Sequence, residues 1–179
     1  MRILLHICCG PCAIHCVNTL REKSHTVQGF FYNPNIHPLS EYDTRKESVT
    51  IAAQKLILPV HFHRDHKFED FFRKITFHED DDRCFLCWQT RLKHTAEFAK
   101  KENYEAFTTT LLISPYQDKD KIRELAQSLA QKYEIPFFYE DFSIGFRESH
   151  EASREMGLYH QKYCGCIYSE RERNAQIKN

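Results

Sequence analysis

The chain has 179 residues, 41% of them hydrophobic, and 25 basic residues balance 25 acidic ones. This length and apolar share are typical of one compact domain, so we expect a single domain over residues 1–179. Balanced charge gives no global field that would indicate a polyanion partner, so any nucleic-acid site must be local. The apolar start, residues 3–7, is too short for a membrane span and lacks a cleavage pattern, which predicts a cytoplasmic protein without a membrane anchor.

Short β-rich runs alternate with helical periodicity along the chain. Strands are expected at residues 2–7, 27–32, 60–63, 107–113 and 136–139. Helices are expected at about residues 12–22, 40–55, 68–75, 87–101 and 118–132. The sequence therefore predicts an α/β fold, a Rossmann-like (HUP-like) parallel sheet of about five strands with helices on both faces. A C-terminal helical or loop extension carries Cys164-Gly165-Cys166.

Sheets of this kind bind ligands at the carboxyl ends of their strands, near the point where the strand order reverses. Several polar or thiol-bearing segments follow directly after predicted strands: Cys8-Cys9, Tyr32-Asn33, residues 61–64, Ser114 and Asp141. We therefore expect the functional site at this edge of the sheet.

The eight cysteines fall into three groups, at the start, middle and end of the chain: Cys8, Cys9, Cys12 and Cys16; Cys84 and Cys87; Cys164 and Cys166. In a reducing cytosol such a set indicates metal binding or redox chemistry, not a disulfide framework. Spacing alone leaves open an iron-sulfur cluster, a closed zinc site and plain thiol redox chemistry. Adjacent cysteines favour the cluster, because side chains that point apart can reach different irons.

The remaining thiols and one carboxylate suggest further chemistry. A disulfide between Cys164 and Cys166 would close a very small, strained and easily reduced ring, which suits a redox-active pair, although a second metal-ligand pair stays open. Cys12 lies near a predicted helix N-terminus, where the helix dipole lowers a thiol pKa, so it is a candidate reactive or metal-binding thiol. Asp141, at a predicted strand end, is the best candidate for a functional acid or hard ligand.

A local nucleic-acid surface is a weaker hypothesis. Aromatic rings can stack on unpaired bases and cations can neutralise phosphates. The residues concerned are Tyr32, Tyr42, Tyr159 and Tyr163 with Arg45, Arg147 and Lys162. The same set is equally compatible with ordinary surface.

Six motifs occur together in one order along nearly the whole chain. They are His6-x-Cys8-Cys9-x-Pro11-Cys12, Tyr32-Asn33-Pro34-Asn35-Ile36, Glu41-Tyr42-x-x-Arg45, Arg83-Cys84-x-x-Cys87, Thr109-Thr110-Leu-Leu-x-Ser114-Pro115 and Tyr163-Cys164-Gly165-Cys166. Each is weak alone, but their joint order is specific. Together they resemble the cobalamin-independent epoxyqueuosine reductases, the QueH family.

The resemblance implies an oxidoreductase that removes the epoxide oxygen of epoxyqueuosine at the wobble position of a tRNA anticodon, the final step of queuosine biosynthesis. It also implies a [4Fe-4S] cluster on Cys8, Cys9, Cys84 and Cys87, and a redox-active disulfide between Cys164 and Cys166. The partners would be the tRNA and an electron donor that the sequence does not identify.

Two hypotheses remain beside this reading. Cys12 and Asp141 could hold an additional mononuclear iron that acts as a Lewis acid on the epoxide oxygen. The alternative function is a zinc-binding module that contacts RNA or a partner without catalysis. A nucleotide-binding transferase is disfavoured, because Cys8-Cys9-Gly10-Pro11 stands where a glycine-rich phosphate loop would follow the first strand.

Overall fold

The computed structural model describes residues 1–64, 66–78 and 83–178. Its strands are β1 (Arg2–His6), β2 (Thr26–Phe31), β3 (Val60–Phe62) and β4 (Ala106–Thr109). Its α-helices are α1 (Gly10–Glu22), α2 (Leu39–Lys55), α3 (Phe68–Ile75), α4 (Arg83–Lys101), α5 (Lys119–Tyr133), α6 (Phe146–Glu155) and α7 (Ile167–Lys178). Within these ranges no helix has the length and apolar character needed to cross a membrane.

The four strands form one parallel sheet in the order β3-β2-β1-β4. The central strand, β1, is inaccessible at Ile3, Leu4 and Leu5, because helices cover both faces of the sheet. Leu5 pairs with Gly29 on one side and with Thr108 on the other. This register brings the carboxyl ends of β1, β2 and β4 to one edge.

The chain winds away from β1 in both directions. It passes through α1, β2 and α2 to β3 at one edge, then returns through α3 and α4 to β4 on the other side of β1. Right-handed crossovers place α1 and α2 on one face and α4 and α5 on the other. Accordingly α1 packs against α2 and α6, whereas α4 packs against α5. The predicted α/β fold is confirmed. The strand order reverses between β1 and β4.

The sheet has four strands and not the expected five, because the region after β4 departs from regular strand geometry. The expected strand 107–113 ends at Thr109, and residues 110–113 form a 3₁₀ turn whose Leu111 amide donates to the Thr109 hydroxyl. The expected strand 136–139 is reduced to one parallel bridge between Phe137 and Phe107. Because β4 ends at Thr109, where the 3₁₀ turn begins, this pairing stays short: it consists of the hydrogen bonds from Phe107 N to the Pro136 carbonyl oxygen and from Phe138 N to the Phe107 carbonyl oxygen.

Helix α1 approaches α2 closely at Gly10. A Cβ atom at this position would lie 2.6 Å from the Ser48 Oγ and 2.7 Å from the Ser48 carbonyl oxygen. Both distances are shorter than any ordinary contact of a Cβ atom, and the Ser48 carbonyl oxygen cannot move aside because it belongs to the backbone of α2. Glycine therefore lets the start of α1, which carries the first cysteine group, lie against α2.

We expect Gly10→Ala to lower the free energy of unfolding by about 1–3 kcal/mol, because the added methyl group forces α1 and α2 apart. Denaturant-induced unfolding measures this change. Gly157→Asn is the matched control, since a Cβ there meets nothing within 4 Å and asparagine tolerates the positive φ of that position. Its expected effect is below about 0.5 kcal/mol. Equal losses in the two variants would contradict the close-approach explanation.

Candidate functional site

The turn from β1 into α1 gathers three thiols. The Sγ atoms of Cys8, Cys9 and Cys12 lie within 4.8 Å of one another. The Sγ of Cys9 is 3.8 Å from that of Cys8 and 2.7 Å from that of Cys12. Cys9 is extended directly before α1, and Pro11 stands at the helix start, so Cys12 comes round beside Cys9 within the first turn. Among the described residues, this is the one group of three or more potential ligands with metal-binding spacing.

Hydrogen bonds divide the protons unequally among these thiols. Donation from Cys12 and Cys9 lowers the pKa of Cys8 well below its usual range, and the Thr110 hydroxyl also donates to the Cys8 sulfur at 3.3 Å. Burial raises the pKa of Cys9, whereas hydrogen bonding to Cys8 is the largest cause of the raised pKa of Cys12. Crowded thiols that share protons in this way can bind a metal, because a metal ion displaces their protons and forms metal–sulfur bonds in place of the hydrogen bonds between them.

The middle and C-terminal cysteine groups meet beside α3. Cys84 and Cys87 both lie on α4, because this helix begins at Arg83 and not at residue 87 as expected; Cys84 is exposed and Cys87 is buried. Cys87 and Cys166 pack in one apolar cluster with Phe71 and Ile75. Burial raises the pKa of Cys87 to about 12, and the charges of the other three thiols in these two groups add to the effect.

Arg91 joins the three cysteine groups electrostatically. It lies one helical turn after Cys87, is 2% exposed, and donates from Nε to the Cys87 carbonyl oxygen at 3.4 Å. Burial opposes its charge, but the negative charges of Cys87, Cys164 and Cys8 outweigh this effect and raise the pKa of Arg91. Its Nη2 has no hydrogen-bond partner among the described residues. Thiols from the start, middle and end of the chain therefore interact electrostatically with one buried cation.

A second buried arginine, Arg45 on α2, holds the C-terminal loop in place. Its Nη1 and Nη2 donate to the carbonyl oxygens of Cys164 and Tyr163, both at 2.9 Å. Its Nε pairs with Glu41 at 2.7 Å, and the other carboxylate oxygen of Glu41 accepts from the Tyr159 hydroxyl at 2.7 Å. Arg45 is 1% exposed. The Glu41–Arg45 motif thus positions the loop and does not form part of an RNA-facing surface.

The loop itself depends on Gly165, whose φ is +146°. Its carbonyl oxygen accepts from the His37 amide at 2.8 Å, and an added Cβ would lie 3.2 Å from the Asn35 Nδ2. The loop places the Cys164 thiol at the surface and the Cys166 thiol inside. Gln117, whose Oε1 accepts from the Trp88 indole, donates to the Cys164 sulfur at 3.6 Å. All eight cysteines are free thiols.

Asp141 lies outside the cysteine group. Its carboxylate accepts from Lys119 Nζ at 2.9 Å and from the amide and hydroxyl of Ser143 at 3.0 and 2.6 Å, which caps the 3₁₀ turn Phe142–Gly145. Hydrogen bonds from Ser143 and Lys119 lower the pKa of Asp141 to about 2. Iron binding at this carboxylate would therefore have to displace Lys119. Its role as an iron ligand stays a prediction.

Sequence reasoning missed Arg91, Thr110 and Gln117 as parts of the site. For Arg91 a signal was present, because it follows Cys87 by four residues on a predicted helix and so shares its face. Thr110 and Gln117 lie in the irregular segment after β4, where no periodic pattern orients a side chain.

Comparison with known proteins agrees with this arrangement. A family model described as "Epoxyqueuosine reductase QueH" matches residues 3–172. The relative of that name from Thermotoga maritima is 34% identical over 186 residues, which covers 98% of this chain and 95% of the relative. The relative from Dehalococcoides mccartyi is 32% identical and covers 96% of this chain and 94% of its own length.

A solved structure also matches. It is the predicted subunit of tRNA methyltransferase from Methanocaldococcus jannaschii, with a TM-score of 0.52 and 16% identity over 86% of this chain and 75% of that chain. At this identity it shows the α/β fold alone. The family model and the relatives also identify the family, because they match nearly the whole chain and are named as a reductase. The chain belongs to the epoxyqueuosine reductase QueH family of oxidoreductases.

Proposed function

We propose that this protein reduces epoxyqueuosine to queuosine in the tRNA anticodon, the final step of queuosine biosynthesis. The observation that carries the proposal is the group of three thiols, Cys8, Cys9 and Cys12, with metal-binding spacing, in a chain of this reductase family. The reaction adds two electrons and two protons to the epoxide and releases its oxygen as water, so the site must handle both electrons and protons.

In this proposal Cys8, Cys9, Cys84 and Cys87 would hold a [4Fe-4S] cluster; the structure groups the first two with Cys12, and Cys84 and Cys87 lie outside that group. Cys8 and Cys9 already present adjacent sulfurs, and Cys87 is a buried thiol next to a buried guanidinium. The unpartnered Nη2 of Arg91 is the kind of orphaned donor that a bound anionic group satisfies. Such a cluster supplies electrons singly, passed on from a donor that the sequence does not identify.

Cys164 and Cys166 form the proposed redox-active pair. Oxidation of two thiols to a disulfide releases two electrons and two protons, which is the demand of one epoxide. The Arg45 fork fixes the loop through its carbonyl oxygens and engages neither sulfur. Burial raises the pKa of the Cys164 thiol, and the Gln117 amide, which donates to its sulfur at 3.6 Å, acts in the opposite direction. The thiols of the Cys164–Cys166 loop can then deliver both the protons and the electrons that the epoxide needs.

A surface near Cys164 suits an unpaired base. Tyr116 directly precedes Gln117, and its ring is 85% exposed. By contrast Tyr32 and Tyr42, the earlier stacking candidates, are 2% and 5% exposed and belong to the core. The wobble base lies in an unpaired loop of tRNA, so it can be received splayed out without opening a duplex. The exposed ring of Tyr116 supports tRNA as the substrate.

We expect Cys9→Ala to lose its iron after anaerobic reconstitution and to lower turnover of epoxyqueuosine tRNA by about a hundredfold or more. Loss of even the hydrogen-bond partners of metal ligands costs ~10–100-fold. Iron analysis and the visible spectrum provide the measurement. Cys16→Ala is the matched control, because Cys16 is a buried thiol of the same helix outside the three-thiol group, and it should keep its iron. A colourless, zinc-loaded wild type would refute the proposal and favour the zinc module.

Cys164→Ala should separate the redox pair from the metal centre. We expect wild-type iron content but turnover with a chemical reductant reduced by at least about tenfold, or ~1.4 kcal/mol of activation free energy. The Cys16→Ala protein serves again as control for removal of a thiol. Undiminished turnover in Cys164→Ala would refute the dithiol role and leave the metal centre untouched.

The additional iron on Cys12 and Asp141 remains part of the proposal. It predicts iron in excess of the cluster in the reconstituted wild type, and loss of that excess alone in Asp141→Asn. Asp141→Asn also breaks the Lys119 ion pair, so Lys119→Met, which breaks the same pair but keeps the carboxylate, is the control. Full activity with no iron beyond the cluster would remove this second site.

A further inference from the structure

The buried guanidinium of Arg91 lacks, within the described part of the chain, the hydrogen bonds and counter-charge that would offset its loss of hydration. A guanidinium that is 2% exposed has given up its hydration, which is costly unless a counter-charge and hydrogen-bond acceptors replace the water. Among the described residues, its hydrogen bond from Nε to the Cys87 carbonyl oxygen is long at 3.4 Å, and Nη2 has no partner. No carboxylate in this part of the chain forms an ion pair with it, and the groups that interact with its charge are the thiols of Cys87, Cys164 and Cys8.

The neighbouring imidazole of His6 cannot supply the missing negative charge. His6, at the carboxyl end of β1, is fully buried, with Nδ1 2.9 Å from the Thr109 hydroxyl and Nε2 3.3 Å from the Tyr32 carbonyl oxygen. Both ring nitrogens therefore already have partners, and an imidazole is either neutral or cationic, so His6 is no counter-charge for Arg91.

The second buried arginine shows what a purely structural guanidinium looks like in this fold. Arg45 is as deeply buried, yet its Nε, Nη1 and Nη2 all have acceptors, and Glu41 supplies the opposite charge. Arg91 has one such acceptor, the Cys87 carbonyl oxygen, and no carboxylate pairs with it among the residues that the structure describes. The difference leaves its Nη2 and its charge available to a bound anionic group.

We infer that Arg91 is a positioning residue for a thiolate-bound anionic cofactor: its charge offsets the net negative charge of the group, and its free Nη2 donates to one of the sulfurs. This inference rests on the proposed function, because it takes the cysteines as cofactor ligands. It adds a specific electrostatic consequence. An iron-sulfur cluster held by thiolates carries net negative charge, and reduction adds one more electron to it. A buried cation beside it therefore favours the reduced state and raises the reduction potential.

The test is a redox titration of the anaerobically reconstituted protein without tRNA, followed by optical or paramagnetic resonance spectroscopy. Arg91→Met removes the charge and keeps much of the side-chain volume, Arg91→Lys keeps the charge and loses the fork, and Arg147→Met removes a charge that is 91% exposed. At the wild-type midpoint, we expect the ratio of reduced to oxidised cluster to fall by about tenfold or more in Arg91→Met. It should fall less in Arg91→Lys and stay unchanged in Arg147→Met.

The outcomes distinguish the two claims. Loss of the cluster from a folded Arg91→Met protein, with the cluster retained in Arg91→Lys, supports the inference, since the charge is then needed to bury the anion at all. If Arg91→Met does not fold, Arg91→Gln is titrated as the second neutral variant, and a wild-type midpoint there overturns the inference. An Arg91→Met midpoint equal to wild type overturns this inference and leaves the proposed function standing. A wild type that binds no cluster overturns the proposed function and this inference together.

Discussion

The structure depends on how it satisfies two guanidinium groups buried at one edge of the sheet. Arg45 and Arg91 are among the largest fully buried side chains of the protein. Removing such a charge from water costs several kcal/mol, and this cost is offset only where an opposite charge and good acceptors are present. Arg45 has both and joins α2 to the C-terminal loop, whereas Arg91 has sulfur atoms around it. Arg45 therefore holds the C-terminal loop in position, whereas Arg91 lies among the cysteines that we propose as cofactor ligands.

The sequence predicted the parts of the site that depend on local pattern and on the parallel sheet. The continuous apolar run of β1 predicts a buried central strand, and the sheet topology then places Cys8 and Cys9 at its carboxyl edge. Both are confirmed. The start of α4 and the 3₁₀ turn after Thr109 were not predicted correctly, because helix ends and irregular turns depend on side-chain caps and tertiary contacts more than on periodicity.

Asp141 and Arg91 show two different limits of sequence reasoning. Asp141 is expected to follow a strand, but that strand is reduced to a single bridge and the carboxylate caps a 3₁₀ turn, while its role as an iron ligand stays a prediction. Arg91 was overlooked because an arginine on an amphipathic helix is ordinarily a solvated residue. Its burial depends on how α4 packs on the sheet and on thiols some 80 residues earlier and 70 residues later in the sequence. Short-range spacing contains no information about that packing.

The site also shows how an α/β sheet edge can serve different chemistry without a change of fold. In sheets of this topology the first turn after β1 leads into a helix N-terminus, whose free amides and dipole favour negative charge. Here Cys9 occupies the N-cap position of α1 with no side-chain cap, and no acidic residue lies in the first helical turn. The amides, the dipole and Arg91 all favour an anion at the place where nucleotide-binding proteins hold phosphate. With clustered thiols in place of a glycine-rich turn, this edge keeps its electrostatic character and offers sulfur ligands that could bind a metal.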